Sequence, residues 1–154
     1  MKINELLSTA TIDLTLTTPT KEATIEALAK LLHEADKLTS LEDFKAGILE
    51  RESLGSTGVG YGIAIPHAKT KAVKTPALAY GFHKEGVDYD SLDEAPAHLI
   101  FMIAAPEGEN NLHLQTLAKL SRQLIDEDFR EALHACKTKE EVLTHLSKID
   151  KEEA

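Results

Sequence analysis

The sequence predicts an α/β fold: a single domain with a mixed central β-sheet and helices packed on both faces. Three observations carry that reading. Short apolar runs alternate along the chain with amphipathic stretches of helical period. One run, Leu99–Ala104, is apolar at every position, as in a strand covered on both faces. The chain has 154 residues, 28% charged and 42% hydrophobic, enough for one ordinary domain. The domain is expected over residues 1–149, followed by a C-terminal tail at 150–154.

Each element follows from its residues. Thr11–Leu16 alternates enough for a strand. Thr18-Pro19 reads as a helix cap with proline at the first helical position, and Ile25, Leu28 and Leu32 line one face of the helix that follows. Ser40-Leu41-Glu42-Asp43 resembles a capping box, with Leu41, Phe44 and Ile48 along the next helix. Ile63-Ala64-Ile65, Ala77–Phe82 and Leu99–Ala104 read as strands. Leu112–Ile125 is amphipathic, with Asn110 and Asn111 as N-cap candidates. Helices near Asp128–Ala135 and Lys139–Lys148 complete the order, the last opened by the capping box Thr138-Lys139-Glu140-Glu141.

Arg51–Lys69, RESLGSTGVGYGIAIPHAK, is the most informative segment. Gly55, Gly58, Gly60 and Gly62 place half of the chain's eight glycines in eight residues. Pro66 ends the apolar run Ile63–Ile65 and biases Ile65 toward an extended backbone. His67 follows at once, where the strand is expected to open onto the surface. Charge singles out the same region. Residues 1–50 carry five lysines against nine carboxylates, and residues 85–154 carry seven basic against sixteen acidic side chains. Residues 51–84 hold Arg51, Lys69, Lys71, Lys74 and Lys84 against Glu52 alone. A basic island around an imidazole fits an anion, although Lys71 and Lys74 read better as solvated surface lysines. The acidic flanks argue against nucleic acid and anionic membranes.

Other chemistries lack their residues. No histidine pair has HExxH spacing, and a single cysteine, Cys136, anchors no zinc knuckle, so no metal is expected. The glycine run lacks the Lys-Ser/Thr of a nucleotide-binding loop. His83 and His98 sit at predicted strand edges, and His33, His134 and His145 on charged helices, all as surface or boundary residues. No run approaches the ~20 apolar residues of a membrane span. The N-terminus lacks a signal-peptide layout, and one cysteine suits a reducing cytoplasm.

Glu52, followed by six free positions and then Val59-Gly60, two more free positions and Ile63-Ala64-Ile65-Pro66-His67-Ala68, resembles the signature of a known family. These are the enzyme IIA phosphocarriers of the bacterial phosphoenolpyruvate-dependent sugar phosphotransferase system, fructose–mannitol type. Val87–Leu92 and Ala105-Pro106-Glu107-Gly108 look most like the fructose branch. The resemblance implies that His67 accepts a phosphoryl group from the histidine phosphocarrier HPr and passes it to a cysteine of enzyme IIB. Sugar uptake and phosphorylation, of fructose in that branch, would be coupled to this transfer. It implies a cytoplasmic protein without a cofactor that meets the membrane permease only indirectly. The alternative is a nitrogen-type regulatory paralogue whose phosphorylation state controls protein binding.

The remaining site residues follow. His113 lies in register with Leu117, Leu120 and Leu124, facing the core side of the first helical turn. Spacing alone favours a histidine that caps the core over an anion donor. Asn111-Leu112-His113-Leu114 resembles the family's second active-site histidine, which implies that His113 stabilises the phosphoryl group. Arg51 matches the family's arginine near the site. Ser56 and Thr57 stand either to bind phosphoryl oxygens or to shape the turn.

Overall fold

The run Leu99–Ala104 lies at the centre of the sheet. The structure, a computed structural model, describes residues 2–108 and 111–152, without the side chains of Leu112, Lys151 and Glu152. Strand β6 (Ala97–Pro106) pairs antiparallel with β5 (Ala77–Val87), which pairs parallel with β1 (Ile12–Asp13). On its other side β6 pairs parallel with β3 (Ile63–Ala64) and β4 (His67–Thr70), and β2 (Gly58–Gly60) pairs antiparallel with β3. The sheet is therefore mixed.

Alternation along β6 divides the core in two. Ile100, Met102 and Ala104 join Leu28, Leu32, Phe44 and Ile48 of α2 (Lys21–Glu34) and α3 (Leu41–Ser53). Leu99, Phe101 and Ile103 face α1 (Ile3–Leu6), α4 (Leu112–Leu124), α5 (Glu127–Ala135) and α6 (Lys139–Glu152). Successive strand side chains point to opposite faces, so a doubly covered strand must be apolar throughout. On α4, Leu120 and Leu124 are essentially fully buried. Each such burial is worth about 1.5–3 kcal/mol.

β3 and β4 are one strand interrupted at Ile65-Pro66. Ile63 pairs with Leu99 and His67 with Ile103, so the register on β6 is the same on both sides of the break. Pro66 has no N–H to give the ladder, but its carbonyl accepts the Ile103 N–H at 2.9 Å. Ile63, Ile65 and His67 then share the face beneath α4.

Some expectations are revised. The predicted strand 11–16 shrinks to β1, preceded by a 3-10 turn at Thr9–Thr11. Thr20, not Thr18, caps α2: its hydroxyl accepts the Ala23 N–H at 3.1 Å, while the Thr18 hydroxyl meets that of Thr24. The Thr138–Glu141 box forms in both directions, each bond 3.1 Å. Asn111 is the N-cap of α4, held in a left-handed backbone without a side-chain cap bond; Asn110 lies outside the described residues. Helix α6 continues to Glu152, past the expected boundary at 149, and the Asp150 carboxylate accepts the Ile3 N–H at 2.7 Å. No described helix is long and apolar enough to cross a membrane.

Candidate active site

The glycine segment folds back so that the strand carrying His67 is fed from a tight turn. Gly60, Tyr61 and Gly62 have φ of 100°, 59° and 77°, a left-handed run that glycine tolerates at its two ends. From there the chain enters β3, breaks at Pro66 and places His67 against β6. His67 is 7% exposed, more enclosed than a strand edge opening onto surface would leave it. Its Nδ1 lies 2.9 Å from the Ile65 carbonyl. A carbonyl oxygen only accepts, so Nδ1 carries the proton and Nε2 keeps the lone pair.

His67 lines an open cleft of about 940 Å³ between α3, β4 and the first turn of α4. Arg51, Lys69 and Lys71 supply positive charge there, and Asp43, Glu50 and Glu107 line the same cleft, so its lining is formally balanced. His113 enters from α4, its ring centroid 6.0 Å from that of His67 and tilted by 36°. Its Nδ1 is buried and has no hydrogen-bond partner among the described residues. A buried polar atom left unmet beside a cleft is costly unless a ligand meets it. Burial, followed by the neighbouring His67 and Lys69, holds the His113 pKa below the usual imidazole value. The first turn of α4 adds backbone N–H groups with no helical acceptor, which favour an anion.

Arg51 gives one guanidinium N–H to the Gly55 carbonyl at 3.0 Å, which anchors it at the end of α3 while it lines the cleft. Lys71 lines the same cleft, whereas Lys74 pairs with Asp36 at 2.6 Å on the surface. Of the two readings of Ser56 and Thr57, the geometry matches turn-shaping. Neither is among the residues lining the cleft. The Ser56 hydroxyl donates to the Tyr89 carbonyl at 2.7 Å and accepts the Gly58 N–H at 3.0 Å. The Thr57 hydroxyl and N–H both go to the Glu52 carboxylate. With those protons committed, neither hydroxyl has one left for an anion.

Glu52 is the participant that residue-by-residue reading passed over. Its buried carboxylate also meets Lys21 Nζ at 2.9 Å and the Tyr89 hydroxyl at 3.4 Å. Its signals in the sequence were that it opens the family pattern and is the lone acidic residue of the basic island. His83 also departs from a boundary reading. It is 4% exposed, its Nε2–H donating to the Thr18 carbonyl and its Nδ1 accepting from Gly86.

The family model described as "Phosphoenolpyruvate-dependent sugar phosphotransferase system, EIIA 2" matches residues 5–149. The fructose-specific EIIABC component of the phosphotransferase system of Bacillus subtilis is 48% identical over 151 residues. That match covers 98% of this chain and 24% of the Bacillus protein, so the chain spans about a quarter of that relative. The crystal structure of the nitrogen regulatory protein IIA-Ntr from Neisseria meningitidis has a TM-score of 0.87 at 35% identity, covering 94% of this chain and 98% of that one. The complex of enzyme IIAMTL and phosphorylated enzyme IIBMTL from Escherichia coli gives 0.79 at 28% identity, covering 92% and 97%.

Proposed function

The chain belongs to the EIIA type 2 family of the phosphoenolpyruvate-dependent sugar phosphotransferase system, and from that membership and the cleft we propose that it is a phosphocarrier acting through His67. The Nε2 lone pair attacks the phosphorus of phospho-HPr. An N–P bond forms on His67 as the donor histidine's P–N bond breaks, and the donor ring leaves with that electron pair. Nδ1 keeps its proton on the Ile65 carbonyl throughout. A cysteine thiolate of enzyme IIB then attacks the same phosphorus, and Nε2 recovers its lone pair. His113 donates to the phosphoryl oxygens, while Arg51 and Lys69 balance their charge.

The observation that carries this reading is the 2.9 Å bond from Nδ1 to the Ile65 carbonyl. It fixes the tautomer that makes Nε2 nucleophilic, in a ring lining a cleft that also holds Arg51, Lys69 and Lys71. Intact mass after incubation with phosphoenolpyruvate, enzyme I and HPr tests it. One acid-labile phosphoryl group is expected on the wild-type chain and none on His67→Gln. A full mass shift in that variant refutes the assignment.

Transport of fructose is the finer part of the proposal, supported by 48% identity to a fructose-specific component over nearly the whole chain. The likeness to IIA-Ntr supports a second reading, a regulatory module that passes phosphate to no sugar. Reconstitution with enzyme IIB and a fructose permease separates the two: the transport reading requires fructose phosphate to accumulate.

A further inference from the structure

We propose that Glu52 is a positioning residue that holds the proton on Nδ1 of His67 by aiming the Ile65 carbonyl through Thr57. Three hydrogen bonds join them in sequence. The Thr57 N–H donates to Glu52 Oε1 at 3.0 Å. The Thr57 carbonyl accepts the Ile65 N–H at 3.0 Å. The Ile65 carbonyl accepts Nδ1–H of His67 at 2.9 Å.

The first bond is firm because Glu52 is held from several elements at once. Its side chain is 5% exposed, at the last turn of α3. Lys21, at the first position of α2, pairs with one oxygen; the Thr57 hydroxyl and, from the segment after β5, the Tyr89 hydroxyl address the other. Desolvation is tolerable for a carboxylate so satisfied, whereas the same carboxylate without those donors would be expensive. The result is a fixed post beneath the glycine turn. Ile65 depends on such a post because alternation turns its N–H away from β6, the side that the Gly62 and Pro66 carbonyls face, and toward Thr57.

An imidazole chooses its tautomer by which nitrogen finds the better partner. If Ile65 swings, Nδ1 loses its acceptor, the proton can move to Nε2 and the nucleophile is lost. His113 faces the same ring, and Arg51, Lys69, Lys71, Asp43, Glu50 and Glu107 line the cleft it opens on. None of them is altered in the Glu52 variants.

The proposal extends the phosphocarrier reading, but its test is made on the unphosphorylated protein. The ring ¹⁵N shifts of His67, taken where the imidazole is neutral, report the ratio of Nδ1–H to Nε2–H. Wild type should be dominated by Nδ1–H. Glu52→Ala should move the ratio toward Nε2–H by roughly tenfold, the equilibrium equivalent of one ordinary hydrogen bond. Glu52→Gln keeps an acceptor for the Thr57 amide and should restore the ratio. Thr57→Val keeps the Thr57 amide and carbonyl and removes only the hydroxyl bond to Glu52, so it should shift the ratio in the same direction by less. Lys21→Met takes a partner from the oxygen that the Thr57 N–H addresses, so it should lower the melting temperature and also shift the ratio by less than Glu52→Ala. If Glu52→Ala does not fold, Thr57→Val and Lys21→Met decide. A wild-type ratio in Glu52→Ala, or in both Thr57→Val and Lys21→Met, overturns the proposal. A chain that takes no phosphoryl group would refute the phosphocarrier reading and leave the tautomer result standing.

Discussion

Near opposite ends of β6 the molecule holds two histidine pairs of closely similar shape. In one, His67 gives Nδ1–H to the Ile65 carbonyl and faces His113 at 6.0 Å. In the other, His98 gives Nδ1–H to the His83 carbonyl and faces His134 at 5.7 Å. Tautomer and spacing therefore do not distinguish them. Surroundings do. His113 stands in the first turn of α4, where the helix dipole favours an anion, and His134 stands in the last turn of α5, where it favours a cation. The first pair opens on a large cleft with Arg51, Lys69 and Lys71. In the second, the Gly86 backbone comes so close to His98 that a Cβ there would lie 2.8 Å from the ring, and Phe82 packs edge-on against His134. A phosphoryl site needs cationic side chains beside room for the group, and the cleft at the first pair supplies both, with Asp43, Glu50 and Glu107 also lining it.

The sharpest way to break this comparison is to exchange its acceptors. His67→Gln should lose the whole phosphoryl mass increment, whereas His98→Gln, with the same kind of ring bond, should gain it as wild type does. Equal losses in both would mean that the two neighbourhoods matter less than their common geometry. The second members should differ less. His113→Ala should still be phosphorylated by HPr, yet onward transfer to enzyme IIB should slow by about 10²-fold, the usual loss when one donor to developing charge is removed. His134→Ala should transfer at the wild-type rate. Single-turnover kinetics read both.

The two pairs also show what a sequence can carry. The placement of His67 was legible because its determinants are adjacent: turn, strand, proline and histidine lie within thirteen residues of one another. The placement of His113 on the inner face of its helix was legible because helical period ties it to Leu117, Leu120 and Leu124, but that period does not tell a ligand donor from a cap on the core. The doubly covered β6 was legible from its own composition. What escaped was fixed by partners distant in sequence. The Ser56 hydroxyl is claimed by the Tyr89 carbonyl thirty-three residues away, so no local pattern separates a phosphate donor from a turn residue. Asp150 caps α1 from the last turns of α6, which runs past the boundary the sequence suggested. The short strands β2 and β4 pair for so few residues that they leave almost no periodicity to read.

The smallest expected effect is in stability against pH, and it again sets one pair against the other. Burial, then the partner histidine, lowers the pKa of His113 and of His134 below the ordinary 6.5. Burial also lowers that of His145, whose ring stacks on Phe129. For such groups the unfolded chain binds protons more readily than the folded one. Their contribution to stability is therefore complete above about pH 6.5 and is lost as pH falls through that value toward the lower folded-state pKa values. Denaturant midpoints should decline from pH 7.5 to pH 5.5, and His134→Gln and His113→Gln should each flatten the slope a little. Phosphorylated protein should separate the pairs. An anionic phosphoryl group on His67 favours protonated His113 by opposite charge, so the share of the slope due to His113 should shrink or reverse. The share due to His134, far from that anion, should persist. If phosphorylation leaves the slope of wild type unchanged, the phosphoryl group does not sit against His113, and the second histidine returns to being a cap on the core.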